Sequence, residues 1–447
     1  MEVEQEVLSV LEICKRGRAA AQRMQTASNE LKNAALAEIG KVLESRKGDI
    51  EAANAADKIY AAEKKLSNTL QKRLDVTGPK FDQMILNTEG VAKIEDPVGK
   101  VKMATELSDG LELYRMTCPI GVICVIFEAR PEAGVQISSL CIKSGNALLL
   151  KGGKEAANSN EVLVNCVREG LEAVGLPKDA VQLVSTREQI NELLSMDQYV
   201  DLIIPRGGNA LVKYITDNTR VPVLGHADGI CAVYVDKDAD VEKACNLVVD
   251  SKAQYVSVCN AAETLLVQRS ALSTHLAAIV KSLSDAGVLI KADPESLALI
   301  DSKNVAAAGA EDFDTEFLDY VIALKVVESV DEAISHINAH GSHHTDLIVT
   351  ENLSTAERFL AGVDSANVYH NASTRFADGF RYGFGAEVGV STTRTHSRGP
   401  VGVDGLLIYK YRLYGNGHTV GGMARANTPF THKPIEPTFR PQRSSEL

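Results

Sequence analysis

Apolar residues recur at helical spacing through residues 1–90. Ser28 precedes Asn29, Glu30 and Leu31, and Leu36, Ile39, Val42 and Leu43 extend one apolar face. This pattern predicts a helix with Ser28 at its start. The period then shortens. Leu111 to Thr117 alternates as a strand, Val122 to Phe127 is a continuous apolar strand, and Pro119 and Gly121 mark the turn between them.

From Pro131 the pattern becomes β/α repetition. Pro131 suits a first helical turn and Gly145 a helix end. Ala147 to Lys151 reads as a buried strand leading into Gly152-Gly153 and a helix through Leu171. Val181 to Val184 and Val200 to Ile204 follow as strands, the latter running into Arg206-Gly207-Gly208-Asn209 and a helix. Val221 to Leu224 and Ile230 to Val235 continue the series. Near-continuous apolar strands alternating with helices predict a parallel sheet covered on both faces. A second α/β unit is expected from near Ala239, with strands at Thr264–Val267, Val321–Val327, Leu347–Thr350 and Asn367–His370, and a late alternating strand at Leu406–Tyr414. Beyond Gly415 the composition turns polar, with four prolines from Pro429 to Pro441, which predicts a disordered tail.

Composition narrows the function classes. The 447 residues are 45% hydrophobic with 33 Gly and no Trp, the profile of a globular protein with an ample core. A net charge of -12 argues against nucleic acid as a general partner but leaves room for a small anion in a local basic pocket. The eight cysteines form no C-x-x-C pair, which points to reduced thiols. The acidic start, Met1 to Glu6, is unlike a targeting peptide, and no run approaches eighteen apolar residues. The terminal Ser445-Glu446-Leu447 lacks the basic middle residue of a peroxisomal signal, so a cytoplasmic location is expected.

Several segments carry candidate chemistry. Lys151-Gly152-Gly153-Lys154 and Arg206-Gly207-Gly208-Asn209 bring glycines from strand ends to helix starts, where backbone N–H groups bind phosphate. Neither is a G-x-G-x-x-G or Walker motif, and tight turns explain them as well as a nucleotide does. Glu128 and Arg130 follow a strand directly and read either as an ion pair or as site residues. The stretch Asn371 to Glu387 mixes Gly, aromatics, hydroxyls, Arg375 and Arg381, and has the make-up of either a solvent loop or a ligand loop that grips a carboxylate or phosphate. His336 and His340 have i,i+4 zinc spacing beside His343, His344 and Asp346, but the H-E-x-x-H glutamate is missing; no metal is expected. Cys259, in Val256-Ser257-Val258-Cys259-Asn260-Ala261, is flanked by small and polar residues before an apparent helix start. A thiol there is either an inert core group or a nucleophile favoured by a helix N-terminus.

Taken together, Phe127–Pro131, Leu149–Glu155, Asp201–Gly207, Gly225–Cys231, Cys259–Ala261 and Asn371–Glu387 resemble the gamma-glutamyl phosphate reductases of the aldehyde dehydrogenase superfamily, from the N-terminal helices to about Leu413. The resemblance implies an α/β, aldehyde dehydrogenase-like fold. A Rossmann-type NADPH-binding domain would take residues 1–104 and 123–234, and an α/β catalytic domain 235–400. A small β oligomerisation arm would take 105–122 and 401–420, leaving 421–447 as the tail. It implies NADPH-dependent reduction of L-glutamate 5-phosphate to the 5-semialdehyde with release of phosphate, in proline biosynthesis, through a thioester on Cys259. Lys151 would meet the adenosine ribose or its 2′-phosphate, Gly207 and Gly208 the pyrophosphate, and Glu316 the nicotinamide ribose. Arg130, Asn371, Ser373, Thr374 and Arg375 would meet the substrate.

Two departures from the hydrolytic aldehyde dehydrogenases stand out. Their general-base glutamate falls near Gly225-His226, and their oxyanion Asn near Ala129-Arg130. A site lacking a water-activating base suits a thioester that must not hydrolyse, and the Cys259 N–H would supply part of the oxyanion contact, with Arg130 or Asn371 nearby. The alternatives are an acylating dehydrogenase acting on a coenzyme A thioester and a silent NADP-binding oligomer. A homo-oligomer and a functional association with glutamate 5-kinase are expected. Met1 leading into the helical start favours a stand-alone chain over one cut from a bifunctional protein.

Overall fold

The structure is a computed structural model describing residues 8–184, 188–226 and 228–438. The chain forms two compact units: Met1–Ile204 with Asn218–Val223 and Gly402–Leu447, and Pro205–Asp217 with Leu224–Val401. The cut thus falls earlier than the anticipated boundary at 234/235, and Gly207 and Gly208 belong to the second unit.

The first unit opens with helices Val10–Met24, Asn29–Ser45, Lys47–Glu63 and Pro79–Lys93. Ser28 caps its helix as the sequence predicts, its Oγ accepting the Leu31 N–H at 3.2 Å. Strands Val181–Leu183, Ala147–Lys151, Val122–Phe127 and Leu202–Arg206 lie side by side in that order. Val122 pairs with Ala147 and Leu148 with Val181, both in parallel. Every residue of Val122–Phe127 and Ala147–Lys151 is buried, which is why these strands run apolar without alternation. Val221–Leu224 is not a strand; it contributes a single bridge, Ile203 to Val223.

The same unit carries an antiparallel sheet in the order Leu407–Tyr414, Leu111–Pro119, Val101–Ser108, Lys433–Pro434. Val101–Ser108 escaped the sequence reading because only Ala104 and Ser108 are buried along it, too few to set a period. The last strand corrects the expectation of a disordered tail from 421. Helix Val420–Arg425 forms, the Thr431 N–H bonds the Leu107 carbonyl at 2.8 Å, and the Ile435 N–H bonds that of Ala104 at 3.2 Å. A polar, proline-bearing edge strand buries little, so composition alone reads it as disorder. Residues 439–447 lie outside the described residues.

The second unit is built on seven parallel strands in the order Val305–Ala307, Leu289–Ala292, Val321–Val327, Ala262–Gln268, Cys231–Val235, Thr345–Val349, Asn367–His370. Cys231–Val235 therefore belongs to this sheet and not to the first, a correction that no local signal foretold, since a buried apolar run does not say which sheet it joins. Alternate strand residues face opposite ways. Val233, Val235, Leu265 and Val267 pack with Ala244, Val248, Ile279 and Leu283 of helices Val241–Ala253 and Ala277–Asp285. Ala232, Tyr234 and Leu266 pack instead with Ala333, Ile337 and Phe359 of helices Val330–His340 and Leu353–Gly362. Among the described residues no helix is long and apolar enough to cross a membrane.

Candidate active site

Helix Val241–Ala253 ends just before Cys259, which sits in a turn closed by the Ala261 N–H on the Val258 carbonyl at 3.1 Å. The turn runs straight into strand Ala262–Gln268. No helix begins there, so the helix N-terminus expected to favour the thiolate is absent. Exposure still separates this thiol from most others: Cys259 and Cys245 are partly exposed and the other six are buried. Burial pushes the Cys14 and Cys166 thiols up to about 11 and those of Cys124, Cys141 and Cys231 further still, which makes them poor nucleophiles.

Three neighbouring strands, Thr345–Val349, Cys231–Val235 and Ala262–Gln268, bring the residues preceding each of them together. A ring nitrogen of His226, a ring nitrogen of His344 and the Cys259 sulfur lie within 4.8 Å of one another. The two rings meet edge to face, centroids 5.0 Å apart. His226 Nδ1 lies 2.8 Å from the Val390 carbonyl, which can only accept; Nδ1 therefore carries the hydrogen and Nε2 the lone pair. Burial holds His226 below the usual histidine range, against the opposing pull of Glu316 and Glu387. An imidazole therefore stands beside the Cys259 thiol, in the segment where the sequence reading noted only the lack of a glutamate. Cys231 Sγ donates to the Cys259 carbonyl at 3.2 Å from below.

The Asn371–Glu387 stretch clamps this turn. Thr374 Oγ1 donates to the Asn260 carbonyl at 2.7 Å, the Thr374 N–H to Ser251 Oγ at 3.2 Å, and Asn260 Nδ2 to the Ala377 carbonyl at 2.9 Å. Ser373 Oγ accepts from the Ser251 hydroxyl at 3.3 Å and from the Arg375 N–H at 3.3 Å. Arg375, 8% exposed, spends Nε on Gln254 Oε1 at 2.9 Å. Burial and Arg381 weaken its hold on its proton; the guanidinium stays charged. Asn371 also holds the backbone in place. At φ 53° its amide accepts the Thr350 N–H at 3.1 Å and donates to the Thr350 carbonyl at 2.9 Å, fixing the loop to the end of strand Thr345–Val349.

Sequence reasoning missed a buried pair beneath the turn. Lys252 Nζ meets Glu263 Oε2 at 2.5 Å with both side chains fully buried, and Glu263 Oε1 accepts the Leu318 N–H at 3.3 Å. Burial raises the Glu263 carboxyl and lowers the Lys252 amine, as removal from water disfavours both charges. The pair ties the end of the helix before Cys259 to the segment bearing Glu316. Glu316 itself sits beside the Gly229 N–H and His226, with burial lifting its carboxyl above the ordinary range.

Gly207 and Gly208 are exposed at the start of helix Asn209–Asn218, and a side chain at Gly208 would meet nothing within 4 Å. That is an open cradle for an anion. The Gly152-Gly153 turn is different. A Cβ on Gly152 would stand 2.1 Å from Asn160 Nδ2 and one on Gly153 2.0 Å from Glu155 Oε1, and a single 3₁₀ turn follows. These glycines make room for protein side chains. Lys151 beside them is buried, bonded through Nζ to the Gly152 carbonyl, and burial lowers its amine. Glu155 Oε1 also accepts the Ala129 N–H at 2.7 Å, and half-buried Arg130 leads into helix Pro131–Ser144. No ion pair joins Glu128 and Arg130 among the described residues.

Residues 6–308 match the aldehyde dehydrogenase family model, so fold and site define an aldehyde dehydrogenase-type chain. The gamma-glutamyl phosphate reductase of Acetivibrio thermocellus is 50% identical over 97% of this chain and 100% of that protein. That of Nostoc punctiforme is 48% identical over 95% and 98%. The crystal structure of the gamma-glutamyl phosphate reductase from Thermotoga maritima superposes with a TM-score of 0.90 at 39% identity, covering 92% of this chain and 100% of that one. The chain belongs to the gamma-glutamyl phosphate reductase family.

Proposed function

We infer that this chain is an NADP-dependent oxidoreductase that reduces gamma-glutamyl phosphate to the semialdehyde with release of phosphate, a step of proline biosynthesis. The observation that carries the reading is the 50% identity, over 97% of this chain, to a gamma-glutamyl phosphate reductase. The site suits it: Cys259 is partly exposed between the His226 imidazole and the loop bearing Arg375.

Cys259 is the nucleophile and His226 Nε2 the acceptor of its proton. The sulfur attacks the acyl carbon, the carbon–oxygen bond to phosphate breaks, and phosphate leaves with the bonding pair and the proton that His226 returns. Arg375, held by Gln254, faces the anionic substrate. None of the described hydrogen bonds uses the Cys259 N–H, which leaves it to stabilise the oxyanion. The open Gly207-Gly208 turn would hold a pyrophosphate and Glu316 a ribose hydroxyl of NADPH. The bound cofactor supplies the hydride that reduces the thioester to the aldehyde. His226 returns a solvent proton to the released sulfur.

A homo-oligomer through the antiparallel sheet is part of the proposal. Its edge strand Leu407–Tyr414 leaves Ile408, Tyr409, Tyr411 and Leu413 about half exposed. Eight free cysteines favour a reducing, cytoplasmic location. An acyl phosphate hydrolyses readily in water, which favours association with the glutamate 5-kinase that forms it.

The test is NADPH oxidation with gamma-glutamyl phosphate generated in situ by a kinase, compared with an acyl-coenzyme A. Oxidation with the acyl phosphate alone is expected; equal oxidation with the thioester would favour the acylating dehydrogenase.

A further inference from the structure

We propose that Cys259, His226 and His344 form a binding site for a thiophilic divalent cation, Zn²⁺ or its analogue Co²⁺, which reversibly silences the nucleophile. The three candidate ligand atoms already lie within 4.8 Å of one another. Zinc holds nitrogen at about 2.0–2.1 Å and sulfur at about 2.3 Å, so tetrahedral ligands stand roughly 3.3–3.6 Å apart. Shifts of about 1 Å, from a χ1 rotation of partly exposed Cys259 together with small movements of the two rings, would complete the geometry.

The histidines are prepared as ligands independently of the cysteine. His344 is fully buried, and its Nε2 has no hydrogen-bond partner. A buried polar atom left unpaired is costly and calls for an explanation. Its Nδ1 is engaged with Thr345 Oγ1 at 2.8 Å, and Thr345 Oγ1 is itself held by Asn367 Nδ2 at 3.1 Å. His226 repeats the arrangement, Nδ1 on the Val390 carbonyl and Nε2 open. An imidazole anchored at one nitrogen by a protein oxygen and free at the other is the outer-shell pattern of metal-binding histidines.

The donor set selects the class of ion. Two imidazoles and a thiolate, with no carboxylate among them, suit zinc or cobalt and not magnesium or calcium. Three protein ligands leave a fourth position for water. On binding, the Cys259 thiol proton leaves to solvent, a sulfur–metal bond forms, and the His226 lone pair is taken too. Nucleophile and proton acceptor are withdrawn together.

The site rests on geometry alone; only its inhibitory consequence rests on the proposed function. The experiment is a Co²⁺ titration of the metal-free protein followed by absorption. Wild type should develop a thiolate-to-cobalt band in the near ultraviolet and tetrahedral bands in the visible, both displaced by Zn²⁺. Cys259→Ala should lose the near-ultraviolet band. His226→Ala and His344→Gln should each weaken cobalt binding by at least about tenfold. Circular dichroism checks the buried His344 variant, and the half-buried His226 variant carries the test should that one misfold. Absence of the thiolate band in wild type, or binding unchanged in a folded His226→Ala, would overturn the site. Chelator-reversible loss of NADPH oxidation on adding Zn²⁺ is the functional counterpart. The cobalt spectrum is read whether or not the acyl phosphate is turned over, so the two claims fail separately.

Discussion

Gly229 lies against Cys259 so closely that a Cβ on it would stand 2.2 Å from the Cys259 carbonyl oxygen and 2.5 Å from its Cα. The Cys259 backbone thus rests on a neighbour with no side chain. Gly229→Ala must displace the turn that carries Cys259. A displacement of about 1 Å at a reacting centre costs roughly a hundredfold in rate, and a loss of that size in kcat/KM is expected with the far-ultraviolet circular dichroism unchanged. Full activity in this variant would show that the turn tolerates displacement.

His226 gives a second expectation. Removing a positioned base costs about 10²- to 10⁴-fold. His226→Ala should therefore lower kcat by at least the smaller factor with little change in KM, and added imidazole should restore part of it. Alkylation of Cys259, followed on its peptide by mass spectrometry, should slow in parallel. A variant with normal turnover would remove His226 from the proton path.

His336 bears on stability. Burial, helped by His340 and Lys325, holds it at about 4 against an ordinary 6.5, and its ring meets Phe313 edge to face at 5.4 Å. Between those values the unfolded chain takes up a proton that the folded one refuses. Folding stability contributed by neutral His336 is full above pH 6.5 and declines as pH falls toward 4. From pH 7 to pH 5 the loss is about 2 kcal/mol. His336→Leu should lack it, so that urea unfolding of the variant is less sensitive to acid than that of wild type. Equal acid sensitivity in both would contradict the assignment.

The sequence made the fold legible wherever a period was strong. Ser28 and its helix, the buried strands at Val122 and Ala147, and the arginine-bearing loop after His370 all announced themselves locally. The site was half legible. Cys259 drew notice through its small polar neighbours, but His226, His344 and Gly229 reach it only because strands Thr345–Val349, Cys231–Val235 and Ala262–Gln268 lie side by side. That adjacency is non-local pairing, which no spacing encodes. Lys252 and Glu263 read as ordinary charges until packing removed both from water. Asn371 drew notice as part of a polar loop, but its positive φ and its hold on Thr350 are set by packing that no local signal shows.

The central claim is that Cys259 carries the acyl group between phosphate and hydride. It is tested most directly in reverse, by NADP⁺ reduction with glutamate semialdehyde, with and without phosphate, in wild type and Cys259→Ala. Reduction that requires phosphate in wild type and vanishes in the variant is expected. Reduction without phosphate, or reduction surviving the loss of the thiol, would contradict the account.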